Sequence, residues 1–379
     1  MGSDPRRMIS PIDVTTLPAG AQRILDPAGP APLKNMAAKA VVPGLKPADL
    51  IVVVALLAEG EGPHAEQAKQ TMAKLPPPVL NGALGADLEP FVIDKLAPAY
   101  IDDVSVMERL LGMPRIDPTT IENVAGRCKE DVAELIATNE QRMLAHPPII
   151  ERLYMNKSTR MSTADRIIEL AVRNKLELVG IPAYKEVAIA IGQELIAEPS
   201  GEPTPDDILF RETLDESAAL AFDPNAEDTH VVAEDGEEKV AAKFVPLYAR
   251  VGLMTIAQKI RIAMVGDAAE RLLLMRDSNR LVAGAAIRSP LIQDPEVVRA
   301  SASRVVSEEV LRTISLNKDW VQNYQVKVNL VMNPRTPFPM AVRLVPYLRE
   351  HELKTISKSK NVTGPIAQAA KQQLNRKVR

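Results

Sequence analysis

Apolar residues in this chain gather in short stretches, each cut off by Gly, Pro or Asp. Residues 51–57 are apolar throughout, Asp49 stands where a cap belongs, and Gly60-Glu61-Gly62-Pro63 stops the stretch. A helix is predicted next over 65–75, ended by Pro76-Pro77-Pro78, and residues 79–84, 88–96 and 104–111 follow as short apolar stretches separated by Gly, Pro or Asp. No segment sustains period-two alternation with β-branched residues, so the pattern predicts helices and essentially no sheet. Residues 1–46 differ: seven prolines and few large apolar side chains bury too little surface to offset ordering, which predicts a Pro-rich flexible arm.

A second regularity is long-range. Asp117-Pro118 matches Asp294-Pro295, Arg127 matches Arg304, Leu153 matches Leu330, Met155-Asn156 matches Met332-Asn333, and Thr159 matches Thr336, all at an offset of 177. Arg166 with Arg343 and Leu176 with Leu353 extend that diagonal, while Glu130, Val132, Ile136 and Asn139 match Glu308, Val310, Ile314 and Asn317 at 178. The chain therefore carries an internal duplication of about 70 residues. Each copy reads as short helices joined by a turn of the type Asn-(Lys/Pro)-x-Thr. In Asn333-Pro334-Arg335-Thr336-Pro337, Pro334 ends one helix, Thr336 is placed to cap the next, and Pro337 falls in its first turn.

Such helices cannot bury an apolar face alone, so neighbours must stack. The expected fold class is all-α: two HEAT/armadillo-like α-solenoid modules, residues 47–193 and 244–379, joined by an acidic, largely disordered linker at 194–243. A compact irregular bundle is the alternative. Within the linker, Ile208, Phe210, Leu214 and Phe222 approximate helical spacing and form a candidate docking segment.

Charge sharpens the division. Residues 194–238 carry 15 acids against Arg211 alone, and residues 239–379 carry 24 bases against 10 acids, in a chain of net charge −3. This juxtaposition implies an anionic partner for the basic block, or a linker that folds back over it and competes for that partner. Lys354, Lys358, Lys360, Lys371, Arg376 and Lys377, crowded near the C-terminus, are the candidate partner-binding cations.

Composition removes most chemistry from consideration. Aromatic residues make up 3%, with one Trp and one Cys, so disulfide frameworks and base-stacking platforms lack material. His64, His146, His230 and His351 are scattered with no HxxxH pair, which argues against structural zinc. No Gly-rich phosphate loop or nucleophile elbow is present, and Cys128 reads as a structural thiol between helices. The expectation is therefore no cofactor, no metal and no enzymatic activity. No secretory signal is apparent, and the longest apolar run, residues 50–58, is about half of what crosses a bilayer, so a cytoplasmic protein is expected.

Four segments carry a family likeness: Met254-Thr255-Ile256-Ala257-Gln258-Lys259-Ile260, Arg276-Asp277-Ser278-Asn279-Arg280-Leu281-Val282, Ser307-Glu308-Glu309-Val310-Leu311-Arg312, and Asn323-Tyr324-Gln325-Val326-Lys327. In these the chain resembles uncharacterised conserved deltaproteobacterial, including myxobacterial, proteins with HEAT-like or leucine-rich-repeat-variant helical repeats. The segments starting at Pro32-Leu33-Lys34-Asn35 and Leu75-Pro76-Pro77-Pro78 are similar to the N-terminal half of that family. The resemblance implies helical-repeat architecture and carries no catalytic residue. Together these readings predict a non-enzymatic scaffold or adaptor that binds a protein partner, an acidic one by charge. The alternative is a nucleic-acid-binding HEAT-like module using the basic C-terminal block.

Overall fold

Prolines, which the sequence pattern marks as stops, begin helices here. Pro47, Pro63, Pro77, Pro90, Pro118, Pro148 and Pro205 are each the first residue of a helix, where the missing N–H has no partner to lose and the fixed φ is already helical. The computed structural model describes residues 12–196, 198–234, 236–359 and 361–377, and its contacts divide the chain into two units, Met1–Thr159 and Arg160–Arg379.

The first unit contains α1 (Ala19–Leu25), α2 (Ala31–Ala38), α3 (Pro47–Ala58), α4 (Pro63–Ala73), α5 (Pro77–Leu84), α6 (Pro90–Ala99), α7 (Val104–Leu111), α8 (Pro118–Ala125), α9 (Glu130–Ala137), α10 (Glu140–Ala145) and α11 (Pro148–Met155). Several helices pack on the next but one, α3 on α5, α5 on α7 and α7 on α9, beside α4 on α6 and α6 on α8, while α8 packs on α11, three helices along. Six consecutive residues of α3, Leu50 to Ala55, are buried, as an all-apolar helix must be.

The second unit holds α12 (Met161–Arg173), α13 (Tyr184–Ile191), α14 (Pro205–Ala219), an antiparallel hairpin β1 (His230–Val232) and β2 (Glu238–Val240), then α15 (Val245–Gly252), α16 (Ile256–Val265), α17 (Ala268–Leu274), α18 (Arg280–Ile287), α19 (Asp294–Ala302) and α20 (Glu308–Leu316). It ends with α21 (Lys318–Gln322), α22 (Tyr324–Met332), α23 (Phe338–Leu344), α24 (Glu350–Lys358) and α25 (Gly364–Lys377). The alternate-position pattern recurs, with α16 on α18, α18 on α20 and α17 on α19, while α13 packs on α16 and α19 on α22, three helices along. A buried ion pair ties α17 to α19: Arg271 donates to both oxygens of Glu296 at 2.8 and 3.0 Å.

The duplicated turns share one geometry. In the first copy the Asn156 amide nitrogen donates to the carbonyls of Ala125 and Cys128, both at 2.9 Å, while its oxygen accepts from the Ser158 N–H at 2.9 Å. In the second, Asn333 donates to the carbonyls of Ser301 and Ser303 at 3.0 and 2.7 Å and accepts from Arg335 N–H at 3.0 Å. Each asparagine thus stitches a turn to the end of the helix beneath it, α8 or α19. The next helix starts one residue later than expected: Pro337, not Thr336, precedes α23.

Three expectations need correction. Residues 12–46 do not stand off as a Pro-rich flexible arm: Ala21, Ile24 and Ala37 bury against Val53 of α3, flanked by Leu17, Leu25, Leu33, Val42, Leu45 and Leu57. Small apolar residues at helical spacing suffice there because α3 offers an apolar surface to cover; residues 1–11 lie outside the described residues. The segment 194–243 is not a disordered spacer, since it forms α14 and the hairpin and buries Asp207, Phe210, Thr213, Ser217 and Thr229. The hairpin of two three-residue strands is the one sheet among the described residues, in keeping with the expected near-absence of sheet. Finally, the contact boundary falls at 159/160, so α12 and α13 group with the C-terminal unit and not with residues 47–158.

Candidate functional site

The acidic segment and the basic residues after it meet within the second unit, and the meeting has a repeated form. Three carboxylates are each received by a hydroxyl together with a backbone N–H. Asp207 accepts from the Ser162 N–H at 2.8 Å and hydroxyl at 3.0 Å. Glu194 accepts from the Thr255 hydroxyl at 3.0 Å and the Ala257 N–H at 3.1 Å. Glu238 accepts from the Ser303 hydroxyl at 2.6 Å and the Arg304 N–H at 2.5 Å. Burial alone would raise the Asp207 carboxyl, but the hydrogen bonds from Ser162 and Thr204 outweigh it and hold the group below the ordinary carboxylate range.

Arginines complete the contact. Arg276, almost fully buried, donates to Asp228 at 2.9 Å, Thr229 at 3.1 Å and Ser303 at 3.2 Å. Arg250 pairs with Glu212 and Glu216, Lys243 with Glu227, and Arg299 donates to the Pro224 carbonyl at 2.6 Å. Deep in the unit, the Arg261 guanidinium lies 4.4 Å from the Phe210 ring centre. Burial pushes the nearby Asp165 carboxyl well up, against the attraction of Arg261.

These contacts decide where the expected docking residues stand. Phe210 is buried under Arg261 and Phe222 packs edge-on against Phe244 at 5.3 Å, so both anchor their own unit. Leu214 is half-buried and Ile208 is half-exposed on α14. Of the C-terminal cations, Lys354 pairs with Glu350 at 2.5 Å, and Lys354, Lys358, Lys371 and Arg376 are exposed. Lys377 closes α25, and Lys360 lies outside the described residues.

With the acidic segment docked, the second unit splits in charge. Residues 160–304 carry 17 bases and 24 acids, whereas residues 305–379 carry 13 bases and 5 acids. On the basic side, a cleft of about 590 Å³ is lined by Arg280, Ser307, Glu308, Glu309, Arg312 and Arg335. Arg280 opens α18, Arg312 lies in α20 and Arg335 sits in the turn before α23; all three are exposed. Arg335 is aimed by its donations to the carbonyls of Val305 and Val306 at 3.0 and 3.3 Å, and Glu308 lies 3.6 Å from Arg312. Sequence reasoning missed this cleft; its one available signal was arginine recurring at inter-helix turns.

Redox and acid–base chemistry finds little to work with here. Cys128 is fully buried, and burial pushes its thiol up to about 12, the reverse of what a nucleophile requires. His146 faces Glu122 at 3.1 Å, His351 faces Glu352 at 3.3 Å, and burial followed by the charge of Arg276 lowers His230 to about 4. Among the described residues no group of three or more His, Cys, Asp or Glu is placed to hold a metal ion, and no helix is long and apolar enough to cross a membrane. No family model, curated protein or solved structure matches the chain.

Proposed function

We propose that the chain is a non-catalytic helical-repeat scaffold of the HEAT/armadillo type, whose second unit binds a protein partner. The observation that supports this most is the alternate-position stacking of helices in each unit, which leaves inter-helix turns in register for a partner to read. The surplus of bases in residues 305–379 favours an acidic partner and also sustains a second reading, nucleic-acid binding. Two carboxylates in the arginine cleft weigh against the second, because a phosphate backbone offers nothing to pair with them.

Tagged full-length chain, isolated gently from its native cell and crosslinked, is expected to migrate as a complex with a protein attached within residues 305–377. Migration at its own 41.3 kDa with no protein attached would overturn the reading. A complex that collapses on nuclease treatment would replace it with the nucleic-acid alternative.

A further inference from the structure

The second unit already binds one acidic segment, its own, and the manner of binding indicates what its remaining basic surface accepts. Residues 194–243 deliver carboxylates to arginines and to hydroxyl and N–H pairs at helix starts and turns: Glu194 at α16, Asp207 at α12, Glu238 at the turn after α19, and Glu212 and Glu216 at Arg250. Arg312 faces Glu308 instead, and Arg335 the carbonyls of Val305 and Val306. Arg280, Arg312 and Arg335 line one cleft with Ser307, and an arginine beside a serine hydroxyl is also what faces Glu238, at Arg276 and Ser303.

Resting on the scaffold reading above, we propose that this cleft takes an acidic peptide segment of a protein partner, seating its carboxylates against Arg280, Arg312 and Arg335. Guanidinium forks match carboxylates in plane and in spacing. Glu308 and Glu309 in the same lining add selectivity: a peptide can place a neutral or basic residue opposite them, whereas a nucleic acid must carry its phosphates past both. The surplus of 13 bases over 5 acids in residues 305–379 draws such a segment in from solution, more strongly at low ionic strength.

The test is fluorescence anisotropy on the full chain with a labelled peptide in which Asp-Glu pairs alternate with pairs of Gln, so that neutral residues can face Glu308 and Glu309, and with an oligothymidylate of equal length. The wild-type chain is expected to bind the acidic peptide in preference to the oligonucleotide, and more weakly as salt rises. Replacing both Arg280→Ala and Arg312→Ala, which are exposed side chains, is expected to weaken peptide binding about tenfold. Replacing Lys354→Ala and Lys358→Ala is expected to leave it within about twofold. Reversing charge with Arg280→Glu and Arg312→Glu is expected to abolish binding of the acidic peptide while the circular-dichroism melting curve stays that of the wild-type chain, which separates loss of the site from loss of the fold. The assignment falls if the alanine variant binds as wild type does, if the oligonucleotide binds more tightly than the peptide, or if the wild-type chain binds no acidic peptide. A native complex that survives both alanine replacements would remove the cleft while leaving the scaffold reading intact. Absence of any protein complex would remove that reading itself.

Discussion

Asn156 and Asn333 show what one side chain contributes when its amide bridges two carbonyls beneath a turn. At Asn333, truncation to alanine removes the donor from the Ser301 and Ser303 carbonyls beneath a turn that has also lost its own hydrogen bond, and each buried orphan costs about 1–3 kcal/mol. Asn333→Ala is therefore expected to destabilise its unit by about 3 kcal/mol in urea unfolding followed by circular dichroism. Asn333→Asp, which keeps the shape but turns the donor into an acceptor, is expected to cost at least as much at neutral pH. Equal stability of wild type and both variants would show that the amide is dispensable. The duplication made Asn156 and Asn333 visible in the sequence, but not their role. Their partners lie 28 to 32 residues upstream, and the local text, Asn followed by Thr, reads equally well as a cap. Cys128 shares this environment, with its sulfur 3.7 Å from the Asn156 amide; burial outweighs that hydrogen bond and keeps the thiol pushed up to about 12.

At the scale of elements, the hairpin is where composition misled. Fifteen acids in 45 residues look like a solvated spacer, yet Glu194, Asp207, Asp228 and Glu238 are ligands for particular N–H groups and arginines, and only the folded partner reveals that. Residues 12–46 misled in the same way, because their prolines precede or begin helices instead of preventing them. The apolar stretch of α7 and the repeated Asp117-Pro118 where α8 begins were legible, and the structure adds Asp103 and Asp117 as caps, each accepting a backbone N–H of the first turn. The docked hairpin has a pH signature. His230 on β1 is lowered from 6.5 to about 4, so between those values the unfolded hairpin takes up a proton that the native one does not. Unfolding there consumes a proton, and stability must fall as pH falls through the window. Hydrogen exchange of residues 230–240 is expected to accelerate from pH 6.5 toward 4, after correction for the intrinsic rate, and His230→Gln is expected to abolish that dependence. An unchanged profile in the variant would assign the effect to carboxylates instead.

For the whole molecule, the mean charge conceals what a partner meets. A net charge of −3 and an isoelectric point near 6.0 predict that the chain is repelled by a sulfonate resin at pH 7. The surplus of 13 bases over 5 acids in residues 305–379 predicts the opposite, because a local patch binds a surface that the average does not. The C-terminal half of this patch was legible as a run of lysines. The cleft was not, since Arg280 and Arg335 lie 55 positions apart and are brought to one cleft by the stacking of α18 on α20 together with the bonds of Arg335 to the turn before α20. Retention of the wild-type chain on the resin at low salt is the expected outcome, lost as ionic strength shortens the Debye length. Changing Lys354, Lys358, Lys371 and Arg376 to Gln removes four exposed cations outside the cleft and is expected to abolish retention while sparing the arginines that line the cleft. A wild-type chain that flows through unretained would mean that its acids screen residues 305–379 in solution. Long-range attraction would then have no part in bringing an acidic partner to the molecule.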